Sequence, residues 1–198
     1  MSAPDHADAA PQAVPDFDAM YRADSDPWQV ETSWYERRKL GVLLASLPHE
    51  HYPRAWEPGC GPGVVSEALG GRTGELVASD GSQAAIDLAL ARPGMPGSVR
   101  LVRSELPEVP LSGTVDLVVV AEFLYYVPDL GGALDALWSV CAPGSHLALM
   151  HWAHSPHDAF RSGPAMHAQV GLAAAMRGAS RLVAHVDRDF LLDVYEVQ

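Results

Sequence analysis

Short apolar runs alternate with amphipathic stretches along most of the chain. This pattern predicts seven strands, which lie in the segments RAWEPG, GELVASD, SVRLVRS, VDLVVVAEF, SHLALMHW, RLVAHVDR and DFLLDVYEV. It predicts helices in VVSEALGG, SQAAIDLALARPG, DLGGALDALWSVCAPG and GPAMHAQVGLAAAMRG. Near-continuous apolar strands that alternate with helices are typical of a parallel sheet covered on both faces. The last two strands are joined too closely for a crossover helix, so they should form an antiparallel hairpin.

The chain before residue 54 follows a different pattern. Residues 1–16 are rich in Ala, Pro and Asp without periodicity, which indicates a disordered tail. Residues 17–48 are expected to be helical, with Thr32 or Ser33 as an N-cap and Pro48 as the stop. We therefore expect one domain over 17–198, made of a helical segment, 17–48, and an α/β core, 54–198.

Composition narrows the classes of function. The chain has 198 residues, which favours one domain with its own core, and 13 basic against 25 acidic side chains give a net charge of −12. This charge argues against a nucleic-acid partner. Two cysteines are too few for a disulfide framework, and we expect neither a signal peptide nor a membrane-spanning segment. We expect a cytoplasmic monomer or homodimer with a small-molecule partner.

Three glycines, Gly59, Gly61 and Gly63, follow the first predicted strand in EPGCGPGV. A dinucleotide-binding loop would need glycine where Val64 stands, and a phosphate-binding Gly-Lys-Ser/Thr is absent. Asp80 ends the second strand about 20 residues later, where a carboxylate accepts ribose hydroxyls. Glycines alone would suit any tight turn and Asp80 alone would suit a helix cap, but together they indicate a nucleoside site in a Rossmann-like, doubly wound fold.

Glu57 stands directly before the glycine loop, where a carboxylate would repel a phosphate. S-adenosylmethionine carries a ribose and an adenine but no phosphate, and its methionine end bears a sulfonium and an ammonium. An acidic residue beside the loop suits such a cationic ligand.

The segments EPGCGPG, SD and FLYYVPDLGGALDALWSVCAPGSHLAL together resemble the class I methyltransferases. The resemblance implies S-adenosyl-L-methionine as cofactor. It implies that the loop, through Glu57, Gly59, Gly61 and Gly63, packs on the methionine part, and that Asp80 with Gly81 holds the ribose. Many members carry G-D-A near the adenine, whereas this chain has VRSELP, so the adenine contact is expected from the Arg103 backbone, Ser104 or Glu105.

A narrower resemblance lies in DPWQVETSWYERRK, AEFLYYV and LMHW, which are similar to the small N-methyltransferases related to rhizobial nodulation protein S. That protein methylates the amino sugar of a chitooligosaccharide precursor. The shared motifs are Asp26-Pro27-Trp28 and the run Tyr35 to Lys39. The resemblance implies that residues 17–48 form a lid over the cofactor, with Trp28, Tyr35 and Lys39 among its contacts.

The carboxyl ends of the fourth and fifth strands supply the candidates for catalysis. Glu122 should hold an acceptor ammonium, accept its proton and border the cofactor, or else cap the next helix. His151 is the second candidate base and an alternative part of the substrate wall. Tyr125, Tyr126 and Trp152 are expected to line the acceptor pocket. Three further histidines, His154, His157 and His167, are spaced too loosely to predict a metal site.

These observations favour a methyltransferase that N-methylates a small amine, such as an amino sugar or oligosaccharide. The rival within the class is O-methylation of a sugar or phenolic metabolite. Two other classes stay open: an NAD-dependent dehydrogenase, which Val64 and Glu57 disfavour, and a non-catalytic protein that binds the cofactor.

Overall fold

The computed structural model describes residues 13–198, so residues 1–12 of the predicted tail lie outside the described residues. All seven predicted strands are present. They are β1 Tyr52–Pro58, β2 Thr73–Asp80, β3 Val99–Arg103, β4 Val115–Ala121, β5 Cys141–Trp152, β6 Ser180–Val186 and β7 Phe190–Glu196. The helices are α1 Phe17–Ala23, α2 Trp34–Ser46, α3 Val64–Gly70, α4 Gln83–Leu90, α5 Leu130–Ser139 and α6 Gly163–Met176.

The strands form one sheet in the order β3-β2-β1-β4-β5-β7-β6. The first five strands pair in parallel, whereas β7 runs antiparallel to both β5 and β6, which confirms the predicted C-terminal hairpin. The chain order reverses between β1 and β4. Ligands of doubly wound sheets bind at this switch point, outside the carboxyl ends of the strands.

The sheet carries a hydrophobic core on each face. Consecutive residues of β4, such as Val118, Val119 and Val120, are all fully buried because helices cover both sides. On one face Val118 and Val120 pack with residues of α5 and α6. On the other face Val119 packs with residues of α2 and α3. The two layers of helices hold the central strands rigid, and this fixes the positions of the loops at their ends.

The prediction of continuous helix over 17–48 was wrong for residues 24–33. Turns replace the helix there, and the Asp26 carboxylate stabilises them by accepting from the backbone N–H groups of Val30 and Glu31, at 2.6 and 3.2 Å. The second helix begins after Ser33, whose hydroxyl accepts from the Tyr35 N–H at 3.2 Å. Ser33 is therefore the cap, rather than Thr32.

The segment CAPG does not close α5 as the sequence predicted but begins β5. Cys141 already pairs with Val115, and the register shifts before Leu117 pairs with His146. Gly144 has a φ of +83°, which lets the chain bend inside the strand.

The carboxylate of Asp18 holds the first helix against α4. Asp18 accepts from the Ala84 N–H at 2.9 Å and from the Ser82 hydroxyl at 3.0 Å, both at the start of α4. Both bonds lower the pKa of Asp18, and the bond from the Ala84 N–H has the larger effect. They place α1 across the carboxyl ends of β1 and β2.

We expect Asp18→Ala to release α1 without unfolding the core, because the two bonds to α4 would be lost while the sheet is untouched. Trypsin should then cleave after Arg22, whose side chain is 70% exposed, faster than in the wild type. The urea midpoint should change little. Asp87→Ala, an equal charge change on α4, is the control, and equal cleavage rates in the two variants would contradict the docking role.

Candidate active site

A cavity of about 1040 Å³ opens at the carboxyl ends of β1, β2 and β4. This is at the upper end of the usual size of small-molecule sites. The glycine loop and the ends of β2 and β3 form one part of its wall, and residues 121–129 form another. Residues from α1, α2 and the turns between them complete it from above. The predicted lid segment therefore lies over the cavity.

The glycine loop needs glycine for its backbone conformation. Gly59, Gly61 and Gly63 have φ values of +67°, +53° and +81°, which other residues rarely adopt. A Cβ at Gly59 would clash with the Phe123 ring, and one at Gly61 would lie 2.7 Å from the Tyr21 hydroxyl. Gly63 differs in position from the other two glycines, since it directly precedes α3 and does not line the cavity.

Asp80 closes the loop from the neighbouring strand. Its Oδ2 accepts from the Gly61 N–H at 2.9 Å and its Oδ1 accepts from the Ser82 N–H at 2.8 Å. Each carboxylate oxygen has a second lone pair, and the side chain borders the cavity beside Gly81. Burial raises the pKa of Asp80, while the hydrogen bonds from the two N–H groups lower it. The carboxylate is thus placed to accept ribose hydroxyls.

Glu57 is almost fully buried beneath the loop, with 1% of its surface exposed, although it borders the cavity. Its Oε2 accepts from the Ser66 hydroxyl of α3 at 2.6 Å. Burial raises its pKa to about 8, so the neutral form is favoured near pH 7 unless a cation lies beside it. In this structure Glu57 connects β1 to α3.

The expected adenine side is formed by the segment after β3. Ser104 and Glu105 both line the cavity, as do Leu106 and Pro107. Arg103 lies outside this cavity and donates to the Gly81 carbonyl at 3.1 Å. The structure therefore leaves Ser104 and Glu105 as the candidates for the adenine contact.

Glu122 lies at the carboxyl end of β4, and its side chain receives three hydrogen bonds from three separate segments. Lys39 of α2 donates to Oε1 at 2.7 Å, while the Tyr125 hydroxyl and the Trp152 N–H, the latter at 2.9 Å, donate to Oε2. Its φ is +61°, an uncommon value for a residue other than glycine. The alternative that Glu122 caps the next helix is wrong, because it accepts nothing from the turn 124–126 except the Tyr125 hydroxyl.

Aromatic side chains join the N-terminal segment to the core around the cavity. The ring of Phe17 lies 5.1 Å from Tyr126 and 6.2 Å from Trp28, measured between centroids. Trp28 in turn lies 5.6 Å from Tyr21. These edge contacts of electron-rich rings suit a cationic ligand as well as an apolar one.

The prediction that His151 lines the acceptor pocket was wrong. Residues alternate between the two faces of a strand, so Met150 and Trp152 face the cavity while His151 does not. His151 is fully buried behind Tyr125, at 5.3 Å between ring centroids, and contacts His167 at the same distance. Burial lowers its pKa well below the usual range. A neutral ring in this place has no access to the cavity and so cannot act as a base that touches substrate.

The structure brings most of the predicted site residues together around one cavity and leaves out Gly63 and His151. Those that line it are Trp28, Tyr35, Lys39, Glu57, Gly59, Gly61, Asp80, Gly81, Ser104, Glu105, Glu122, Tyr125, Tyr126 and Trp152. Among the lining residues that were not predicted are the aromatics Phe17, Tyr21 and Phe123. Phe123 follows Glu122 directly, and the two aromatics at i and i+4 on α1 were the available signal for the others.

The cavity wall is strongly acidic. Within residues 13–198 it contains one lysine, Lys39, and no arginine. Ten of its side chains are acidic: Asp16, Asp18, Glu36, Glu57, Asp80, Glu105, Glu108, Glu122, Asp129 and Asp158. Such a wall attracts cations and disfavours ligands of net negative charge, such as phosphates.

Residues 56–149 match the family model described as a methyltransferase domain. Nodulation protein S of Rhizobium tropici is 33% identical over 129 residues, which are 63% of this chain but only 54% of that protein, so the chain spans about half the length of this curated relative. The solved structure of a Pseudomonas syringae protein assigned as a methyltransferase is 35% identical, with a TM-score of 0.71, over 83% of this chain and 99% of that one.

The chain belongs to the class I S-adenosylmethionine-dependent methyltransferases.

N-methyltransferase NodS of Bradyrhizobium japonicum, solved with S-adenosyl-L-homocysteine, shares the fold with a TM-score of 0.74 at 22% identity, over 90% of this chain and 95% of that one. The cavity fits the cofactor of this methyltransferase family. Asp80 offers free lone pairs to a ribose, the loop admits close backbone approach, and the acidic wall suits a sulfonium. None of the helices within residues 13–198 is long and apolar enough to cross a membrane.

We expect Asp80→Ala to lower the affinity for S-adenosyl-L-homocysteine at least tenfold. The variant loses the acceptor for two ribose hydroxyls, each charge-assisted bond contributing about 1.5–3 kcal/mol. Calorimetry measures the change, with Asp135→Ala on the exposed side of α5 as the control. Unchanged affinity in a folded Asp80→Ala protein would contradict the ribose assignment.

Glu57 should make stability depend on pH. Its pKa is about 8 in the fold and about 4.5 in the unfolded chain, so between these values the unfolded state loses the proton and the folded state keeps it. The contribution of Glu57 is therefore fully present below pH 4.5 and is lost as the pH rises to about 8. Without cofactor, Glu57→Gln should be more stable relative to wild type at pH 8 than at pH 5 in urea unfolding. The same difference at both pH values would refute this.

Proposed function

We propose that the protein transfers the methyl group of S-adenosylmethionine to the nitrogen of a small amine. The observation that carries this proposal is the carboxylate of Glu122, which three donors hold at the wall of the cavity on a backbone with positive φ. Strained backbone that the surroundings hold in place is typical of functional positions.

Methyl transfer is an in-line displacement in which the amine nitrogen forms a bond to the methyl carbon while the bond from that carbon to sulfur breaks. The sulfonium already activates the methyl group, so alignment and exclusion of water are the main tasks of the protein. Phe17, Tyr21 and Trp28, which belong to the segment 17–48, line the cavity. We propose that this segment acts as a lid that limits the access of water to the site.

An amine attacks through its lone pair, so its N–H bonds must be held away from the sulfur and one proton must finally leave. Glu122 has about four acceptor positions on its two oxygens, and the three bonds described above leave one on Oε1. This position suits an amine N–H. Glu122 then orients the nitrogen and accepts the proton that the product releases.

The charge of the wall supports an amine over an anionic acceptor, since ten carboxyl groups face one lysine in the described part of the chain. The similarity to nodulation protein S, together with the fold shared with N-methyltransferase NodS, supports N-methylation. An amino sugar or oligosaccharide amine is the acceptor class that the sequence resemblance suggests. Tyr126 and Trp152 lie beside Glu122 in the lining and offer aromatic surface to such an acceptor.

We expect Glu122→Gln to leave the affinity for S-adenosyl-L-homocysteine nearly unchanged, because the lost charge acts on the acceptor. If Glu122 takes the proton in the transition state, kcat should fall on the order of 10²–10⁴-fold. If it only holds the ammonium, the main effect should be a raised acceptor KM. The measurement is methyl transfer from labelled cofactor to a panel of amino sugars, alkylamines, sugars and phenols.

Glu75→Gln is the matched control, because Glu75 lies on β2 outside the cavity and pairs with Arg54. Wild-type turnover by a folded Glu122→Gln enzyme would remove Glu122 from the mechanism. Methylation of the phenols or sugar hydroxyls, with none of the amines, would replace N-methylation by O-methylation.

A further inference from the structure

We propose that Lys39 is a positioning residue that aligns the carboxylate of Glu122 and keeps it available to the acceptor amine. The consequence for the reaction rests on the function proposed above. The alignment itself depends on the side chains of Lys39, Glu36 and Glu122, and it can be tested without turnover.

Lys39 is one of the most buried charged residues of the described chain, with 3% of its surface exposed. Its ammonium lies 2.7 Å from Glu122 Oε1 and 2.7 Å from Glu36 Oε2, and it lies 4.9 Å from the centre of the Tyr35 ring. A buried ammonium is stable only when such partners replace its water. Two carboxylates and an aromatic face provide that replacement here.

The ammonium determines which part of Glu122 is free. It draws Oε1 toward α2, while Tyr125 and the Trp152 N–H fix Oε2 from the other side. Removing Lys39 would leave Oε1 without its donor and the carboxylate free to turn about its last bond. A displacement of about 1 Å in a reacting group costs on the order of 10²-fold in rate.

Lys39 also separates two negative charges. Glu36 and Glu122 each lie within hydrogen-bond distance of the same ammonium. Burial raises the pKa of Glu36, and Lys39 is the group that acts most strongly against this rise. Without the lysine, two like charges would share one poorly solvated site, and the pair would bind a proton more readily.

Other titratable groups lie beside Lys39 and its two carboxylate partners but cannot replace the lysine. Tyr35 and Tyr125 adjoin it, and burial raises the pKa of both, so they stay neutral. His151 lies behind Tyr125 and is neutral because burial lowers its pKa. Asp26 acts on Glu36 as a further negative charge. Lys39 is thus the cation on which both carboxylates depend within the described residues.

The position of Lys39 on α2 gives this contact a second consequence. The helix belongs to the segment that covers the cavity, whereas Glu122 belongs to the end of a central strand. The ion pair joins residues 83 positions apart in the chain. The acceptor carboxylate is therefore aligned only when α2 is docked on the core.

The sequence suggested instead that Lys39 touches the cofactor. An ammonium has three donor hydrogens, and two of them already serve Glu36 and Glu122. The two roles predict different effects of Lys39→Met. If Lys39 binds the cofactor, the affinity for S-adenosyl-L-homocysteine should change. If Lys39 positions Glu122, the protonation of the carboxylate pair should change.

The experiment compares wild type, Lys39→Met, Lys39→Arg and the double variant Lys39→Met/Glu36→Gln. Carboxyl ¹³C resonances of Glu36 and Glu122, assigned with the single Gln variants, are followed against pH. We expect the pair in Lys39→Met to take up a proton about one pH unit or more higher than in wild type. The double variant should reverse this change, because the second carboxylate is gone.

Activity with one fixed acceptor should follow the same order. Lys39→Met should lose on the order of 10–100-fold in kcat with an unchanged dissociation constant for S-adenosyl-L-homocysteine, and the acidic limb of its pH profile should move to higher pH. Lys39→Arg, which retains the charge, should recover part of the rate. The double variant should recover the position of the acidic limb.

Unchanged carboxyl titrations in Lys39→Met would overturn the proposal, as would a loss of cofactor affinity that accounts for the whole fall in rate. If the wild type methylates no amine, the proposed function fails, while the carboxyl titrations still decide whether Lys39 aligns Glu122.

Discussion

The turn after β1 is the constraint on which the site depends. Three residues within five positions have positive φ, and only glycine adopts such values without strain. The turn brings the Gly61 N–H to Asp80 on the next strand and lets the Phe123 ring reach the backbone at Gly59. The ends of β1, β2 and β4 therefore meet at one place, and the cavity forms where they meet.

Electrostatics decide which ligands suit this cavity. Most of its charged groups are carboxyls, and several are already used within the fold: Asp18 holds α1, Glu57 bonds to Ser66, and Glu36 pairs with Lys39. The remaining carboxyl groups give a negative potential to the space between the glycine turn and the segment before β1. A sulfonium cofactor and an amine acceptor are both consistent with that potential, whereas a phosphate ligand is not.

The segment before β1 completes the site rather than merely covering it. It supplies aromatic rings from α1 and the following turns, and an ammonium from α2. Its polar attachments include those of Asp18 to the start of α4, Arg92 to Glu31, and Lys39 to Glu122, whereas the apolar side of α2 packs into the core. The polar contacts of α1 and the turns open at a lower free energy than a packed core, which suits the lid role proposed for this segment.

The sequence by itself determined the sheet and the cofactor side of the site. The strands could be recognised because a sheet covered on both faces needs continuous apolar runs, and the short connection before β7 required an antiparallel hairpin. Gly59, Gly61 and Asp80 could be recognised because a local turn and a strand end fix their positions relative to one another.

Only the tertiary structure decided which side chains complete the cavity. His151 and Trp152 are neighbours in the chain, but they face opposite sides of β5, and the pattern of apolar residues did not reveal which side carries the cavity. Tyr21 and Lys39 reach the site through the docking of helices far from it in sequence. Local patterns do not encode such contacts, because the packing of whole elements sets the distance between residues like Lys39 and Glu122.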